Sequence, residues 1–195
     1  AIDEAHCISQ WGFDFRPSYL NVHILRTLKP DVPVLALTAS ATPRVKKDLA
    51  EALLIPNAKV FEDSIRRDNL HLHIKFTPNK ERQLFRLLKR LEGTGIIYAK
   101  TRRSCESLAE LLQNNGYSAD FYHAGLLPDQ KEQRQEAWVS NELRMIVSTT
   151  AFGMGIDKPD VRFVIRHDIP KSIESYYQET GRAGRDGGEG HCLAF

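Results

Sequence analysis

Hydrophobic positions along the chain follow two alternating periods. Short β-branched or apolar runs stand at "VPVLAL" (33–38), "KVFE" (59–62), "HLHIKF" (71–76), "GIIYA" (95–99), "SADFY" (118–122), "LRMIVST" (143–149) and "VRFVIR" (161–166). Each is strand-sized. Between them the spacing changes to that of amphipathic helices. Leu84, Leu87, Leu88 and Leu91 recur at i, i+3, i+4 and i+7, behind Thr77, which can cap, and Pro78, which can open the first turn. Cys105, Leu108, Leu111 and Leu112 mark a second helix that ends near Gly116, where a missing Cβ permits a left-handed cap. Strands alternating with helices predict an α/β fold in which parallel sheets carry helices on both faces.

The apolar spacing stops at "EDSIRRDNL" (62–70), where charge is dense. Residues 1–65 therefore read as the C-terminal half of one α/β domain and residues 66–195 as a second. The chain has 195 residues, 42% hydrophobic and 27% charged, with a formal net charge of +2, which is a globular profile. Its longest apolar stretches are too short to span a bilayer and no signal-peptide pattern appears, so an intracellular protein without membrane contact is expected. Cys7, Cys105 and Cys192 are too few and too dispersed for a zinc site. A first residue other than Met and a final "HCLAF" without a turn read as ends cut from something larger.

Three stretches carry candidate chemistry. Asp3 and Glu4 follow the end of a presumed strand, where open parallel sheets place their ligand crevice. One carboxylate there can hold Mg²⁺, while the other orients and deprotonates a water for phosphate hydrolysis. Near the other end, Ser172 can cap a helix through Tyr176, Tyr177 and Gln178 that stops near Gly181 and presents Arg182 and Arg185. Their guanidinium forks suit phosphate oxygens and oppose the charge that develops in phosphoryl transfer. The third stretch alternates Trp11, Phe13, Phe15 and Arg16 with Gly12 and Asp14, the pattern of a partly exposed aromatic loop. The phosphate cradle "GxxxxGK[ST]" that such a site needs is absent from these residues, so it is expected upstream of Ala1 and the isolated chain is expected to be inactive.

Together these stretches resemble the RecQ family of superfamily 2 DNA helicases. "DEAHCISQWGFDFRPSY" (3–19) resembles helicase motif II running into the aromatic-rich loop, and "LTASATP" (37–43) resembles motif III. "GIIYAKTRR" (95–103) is similar to motif IV, "YHAGL" (122–126) to the segment after it, "STTAFGMGIDKPDVRFVIRHDIP" (148–170) to motif V, and "SYYQETGRAGRDG" (175–187) to motif VI. The resemblance implies tandem RecA-like P-loop NTPase lobes, the first incomplete, that use ATP and Mg²⁺ to unwind DNA with 3′ to 5′ polarity in repair and recombination. It implies that Asp3 holds Mg²⁺ and Glu4 polarises the attacking water. His6 and Gln10 would link the nucleotide to the DNA-facing loop, with Thr38 and Ser40 relaying state. Arg182 and Arg185 would meet the triphosphate, Gln178 would place them, and Gly155 and Asp157 would lie in the nucleotide-facing turn. Trp11, Phe13, Phe15 and Arg16 would engage single-stranded DNA by stacking and phosphate contact.

The sequence departs from the family pattern in places. Phe13 stands where a histidine is usual, Ser40 where threonine is more usual, and "SIRRDN" (64–69) has Ile65 and Asp68 in place of a phenylalanine and a proline. A four-cysteine zinc subdomain and a winged helix would follow Phe195, and only there would zinc be expected. Two other readings remain open: an RNA helicase of the same superfamily, and a non-catalytic nucleic-acid-binding scaffold. Comparing stimulation of ATPase by single-stranded DNA and by RNA separates the first from the leading reading.

Overall fold

A computed structural model describes residues 1–10, 24, 27–39, 41–64, 66–153, 156–170 and 172–195, without the side chains of Ser9 and Gln10. The chain divides into two compact units, Ala1–Ser64 and Ile65–Phe195.

In the Ala1–Ser64 unit, the short helix α1 (Cys7–Gln10) and helix α2 (Pro43–Ala52) frame a small core of Ala5, Ile8, Val45, Leu49 and Leu53. Thr42 starts α2 because its side chain accepts from the Val45 N–H and Pro43 supplies a preset first turn. The "VPVLAL" run does not form a full strand. Among the described residues its ladder is a parallel bridge between Ile2 and Ala36, carried by Ile2 N–H to the Leu35 carbonyl (2.7 Å) and Leu37 N–H to the Ile2 carbonyl (2.9 Å). Nor does "KVFE": Val60 and Phe61 are exposed, and without a pairing partner β-propensity alone makes no strand.

The Ile65–Phe195 unit is built on a six-stranded, wholly parallel sheet. Its strands are β1 (Leu70–Ile74), β2 (Thr94–Tyr98), β3 (Ala119–Tyr122), β4 (Met145–Ser148), β5 (Val161–Arg166) and β6 (Gly190–Ala194), in the order β1-β6-β5-β2-β4-β3. Helices α3 (Lys80–Leu88), α4 (Arg102–Asn114), α5 (Pro128–Val139) and α6 (Ile173–Thr180) follow β1, β2, β3 and β5 along the chain. Leu84 and Leu88 of α3 and Cys105, Leu108 and Leu112 of α4 pack with Ile97, Val147, Phe163 and Ile165. The alternate strand residues Ile96, Tyr98, Ile146 and Val164 turn to the other face and meet Trp138, Phe152 and Ala183. Both faces of β2 are thereby buried, which is why "GIIY" reads as a continuous apolar run. Each such leucine contributes about 1.5–3 kcal/mol by leaving water.

Helix starts are set by side-chain caps. Asn79, not Thr77, caps α3 by accepting from Arg82 N–H, while the Thr77 hydroxyl accepts from Asn79 N–H and fixes the preceding turn. Thr101 caps α4, and the chain leaves that helix through Gly116 at φ +79°, a conformation that L side chains rarely adopt. Strand β6 forms from the terminal "HCLAF" stretch, which carries no strand pattern of its own in the sequence; it is slotted between β1 and β5, and a single short run carries no sign of that insertion.

Candidate functional site

One candidate group, acidic, grows out of the bridge in the first unit. Parallel pairing of Ile2 with Ala36 brings the residues that follow each of them to the same edge, and Ala5 N–H donates to the Leu37 carbonyl at 2.9 Å. Glu4 has φ +48°, uncommon for a residue with a side chain, and this turn separates the two carboxylates. Asp3 is exposed, and its Oδ1 accepts from the Glu4 N–H at 2.9 Å. Glu4 is half-buried, with its Oε2 buried 3.3 Å from His6 Nδ1 but without an aligned hydrogen bond. The same Nδ1 lies 3.0 Å from Thr38 Oγ1. His6 is 8% exposed, so the imidazole is a buried link between the second acid and the "LTASATP" segment.

A second candidate group, basic, lies in the Ile65–Phe195 unit at the end of α6. The Ser172 side chain accepts from the Ser175 N–H, and the helix stops at Gly181, whose N–H bonds back to the Tyr177 carbonyl at 2.9 Å. The turn that follows is fastened by residues far away in sequence. Arg67 donates to the carbonyls of Gly181 and Gly184, and Asn69 donates to those of Gly184 (2.8 Å) and Gly188 (2.7 Å). From this turn Arg182 Nη1 donates to the Gly153 carbonyl at 2.7 Å, and Arg185 Nη1 donates to Asp157 Oδ1 at 3.0 Å. Both arginines are thus anchored on the "STTAFGMGIDKP" segment. Arg182 keeps a buried Nε without a partner, and Asp157 is 85% exposed.

Beneath Arg182 is a set of polar groups that sequence reasoning missed. Arg166, at the end of β5, donates from Nη1 to Glu179 Oε1 at 3.1 Å, with both side chains almost fully buried. The Tyr98 hydroxyl donates to the Phe152 carbonyl at 3.0 Å. Burial pushes the Tyr98 hydroxyl up to about 12 against the pull of Arg182, and burial raises Glu179 to about 7 against that of Arg166 and Arg182. The sequence does carry one signal for the cluster, since Arg166 ends an otherwise apolar central strand and a buried charge demands a partner.

At the C-terminal edge of the same sheet, a cleft of about 340 Å³ is lined by Thr101, Arg103, Ser104, His167 and Asp168 among others. Burial lowers the His167 pKa. Burial opposes ionisation of Asp168, but the Lys100 N–H at 2.9 Å together with His167 and Lys80 outweighs it and holds the carboxyl below its usual range.

Of the residues singled out in the sequence, Asp3, Glu4, His6 and Thr38 come together in the first unit, and Asp157, Arg182 and Arg185 come together in the second. Gln178 is exposed on α6. Trp11, Phe13, Phe15, Arg16, Ser40, Gly155 and the side chain of Gln10 lie outside the described residues. Among the described residues there is no cluster of three or more His, Cys, Asp or Glu side chains able to hold a metal ion. A lone exposed carboxylate such as Asp3 still fits Mg²⁺, which keeps several waters and takes its other ligands from substrate phosphates.

Residues 79–187, more than half of the chain, match the family described as Helicase conserved C-terminal domain. The chain belongs to that family, among the RecQ-like helicases. It is 47% identical over 98% of its length to RecQ-like DNA helicase blm-1 of Caenorhabditis elegans, of which it covers 20%. It is 47% identical over its whole length to ATP-dependent DNA helicase Q-like 2 of Arabidopsis thaliana, covering 29% of it, and 46% identical to RecQ-like DNA helicase BLM of Xenopus laevis, covering 15%. The chain therefore spans less than a third of these relatives. In fold it is similar to Saccharomyces cerevisiae Dbp5 bound to RNA and ADP BeF3, with a TM-score of 0.81 and 22% identity over 99% of this chain and 51% of that one. It also resembles a DEAD box protein from Methanococcus jannaschii, with a TM-score of 0.64 and 27% identity over 98% of this chain and 52% of that one. The sheet of the second unit is that of a RecA-like helicase C-terminal lobe.

Proposed function

We propose that this chain is the part of an ATP-dependent DNA helicase that runs from the catalytic carboxylates to the arginines of the second RecA-like lobe. On this reading residues 1–65 belong to the first lobe and residues 66–195 form the second. The observation that carries it is Arg182: its guanidinium is held on the Gly153 carbonyl, and it keeps a buried donor without a partner, as a group awaiting an anionic ligand would. Arg185, on an exposed carboxylate, is readily exchanged onto phosphate.

Asp3 would contribute the protein's carboxylate to a hydrated Mg²⁺, which neutralises charge on the triphosphate. Glu4 would accept the proton of the attacking water, with His6 fixing its carboxylate and passing its state to Thr38. Gln178 would order the arginines, and Gly155 and Asp157 would shape the turn that faces the nucleotide. Trp11, Phe13, Phe15 and Arg16, together with His6, Gln10, Thr38 and Ser40, would make hydrolysis responsive to single-stranded DNA. Thr101, Arg103 and Ser104 offer donors suited to backbone phosphates at the cleft edge. DNA unwinding is supported by the DNA-helicase names of relatives at 46–47% identity, and 3′ to 5′ polarity with a role in repair and recombination completes the reading.

The test is ATP turnover by the full-length protein with single-stranded DNA, with RNA and with neither. Strong stimulation by DNA alone is expected. Stimulation by RNA would place the protein with the RNA helicases, and no turnover with either would leave a binding scaffold.

A further inference from the structure

The buried charges around Glu179 do not balance. Arg166 is paired with the Glu179 carboxylate at 3.1 Å, and Arg182, whose main-chain N–H donates to the Glu179 carbonyl at 3.3 Å, brings a second guanidinium whose charge acts on that carboxylate without an ion pair to it, so positive charge is in surplus in a poorly solvated place. The two arginines are not equivalent. Arg166 is 4% exposed on a central strand and has its Nη1 on Glu179 Oε1. Arg182 is only half-buried, lies in a turn and is held by the Gly153 carbonyl. Glu179 Oε2, Arg166 Nε, Arg182 Nε and the Tyr176 hydroxyl are all buried without a hydrogen-bond partner. A cluster with spare donors and a spare acceptor has a second arrangement open to it, and Arg182 is the member free to move.

We propose that Glu179 is a positioning residue for Arg182: paired with Arg166 on β5, it fixes the end of α6 from which Arg182 reaches the Gly153 carbonyl, and Arg166 keeps the carboxylate compensated when Arg182 turns to a phosphate. The proposal rests on the reading of Arg182 as a triphosphate ligand. It follows that Glu179 must be ionised to do its work. The groups facing it are Arg166 from β5, Arg182 from the turn after α6, Tyr98 from β2 and Tyr176 from α6. Arginines stay charged at all working pH values, and burial pushes both tyrosine hydroxyls up to about 12, so Glu179 alone of these changes charge near neutrality. When Arg182 leaves for phosphate, Glu179 loses a stabilising charge and its proton affinity rises, so nucleotide binding near pH 7 takes up protons.

The experiment compares wild type, Glu179→Gln, Glu179→Asp and Arg182→Ala in the full-length helicase. It reads ATP turnover against pH, the dissociation constant of a non-hydrolysable ATP analogue, and proton uptake on binding that analogue by calorimetry in buffers of different ionisation enthalpy. Glu179→Gln should lower kcat by about tenfold with analogue affinity changed less than about threefold, because the missing interaction acts on the reacting arrangement. It should also lose the acidic limb of the profile near pH 7 and part of the proton uptake, while Glu179→Asp recovers part of the turnover. Wild-type turnover, pH profile and proton uptake in Glu179→Gln, alongside a crippled Arg182→Ala, would overturn the positioning role and leave the triphosphate reading intact. Unchanged turnover in Arg182→Ala would overturn that reading first. A fall in thermal stability of Glu179→Gln that removes turnover and affinity together would make the residue structural and overturn the proposal.

Discussion

Arg182 and Gly153 are joined by a 2.7 Å hydrogen bond from the guanidinium to the main-chain carbonyl, and a Cβ at Gly153 would come within 2.6 Å of Arg182 Nη2. The bare backbone of one segment is thus shaped to receive the arginine of the next. Gly153→Ala should displace the far end of a flexible side chain, which costs little in stability. Thermal unfolding is expected to shift by no more than about 2–4 °C, while turnover of the full-length helicase falls about tenfold or more. Unfolding and turnover measured on one preparation check this; normal turnover would mean that Arg182 does not need its present place.

Arg185→Ala removes an ion pair to a carboxylate that is 85% exposed, so a stability change of about 1 kcal/mol or less is expected from denaturant unfolding. In the full-length protein the loss should fall on kcat and leave nucleotide affinity within about threefold, because the charge is best used as the transition state forms. Lost affinity with unchanged turnover at saturating ATP contradicts this.

Thr38→Val deletes the hydroxyl 3.0 Å from His6 Nδ1 and leaves a buried imidazole nitrogen without that partner. The expected cost is about 1–3 kcal/mol in the unfolding free energy. Basal ATP turnover should survive, and its stimulation by single-stranded DNA should fall. Equal stimulation in wild type and variant would remove Thr38 from the coupling route.

Glu179 sets a pH dependence of stability whose sign is unusual for a carboxylate. Its folded pKa of about 7 stands above the ordinary 4.5, so between those values the folded chain holds a proton that the unfolded chain has released. Its contribution to stability is full below 4.5 and is lost as pH rises towards 7. Glu179→Gln cannot lose that proton. The melting temperature of the variant should therefore gain on wild type from pH 5 to pH 7.5, and a constant difference across that range would contradict the buried-carboxylate account.

Most of the sheet was legible because strands buried on both faces leave long apolar runs, as at "GIIY" and "VRFVIR". The exceptions have physical causes. "VPVLAL" and "KVFE" have the composition of strands, but a strand is made by its neighbours, and a bridge to Ile2 is the pairing the described residues give the first. Thr77 and Asn79 are both good caps two residues apart, and the choice between them was made by the turn the Thr77 hydroxyl stabilises. Among the candidate residues, motif spacing singled out the carboxylates and both arginines, each set within its own unit. It could not reveal that Arg67 and Asn69 fasten the glycine-rich turn, or that Arg166 and Glu179 stand beneath Arg182, because those contacts bridge distant parts of the chain.

The central claim is that Glu4 supplies the base for DNA-stimulated ATP hydrolysis. The most direct measurement is ATP turnover of the full-length helicase and its Glu4→Gln variant with saturating single-stranded DNA, beside equilibrium binding of a labelled nucleotide analogue. The variant should bind the analogue about as well as wild type and show turnover reduced by at least about 10²-fold, the low end of what a positioned base contributes. Near-normal turnover in Glu4→Gln would contradict the account.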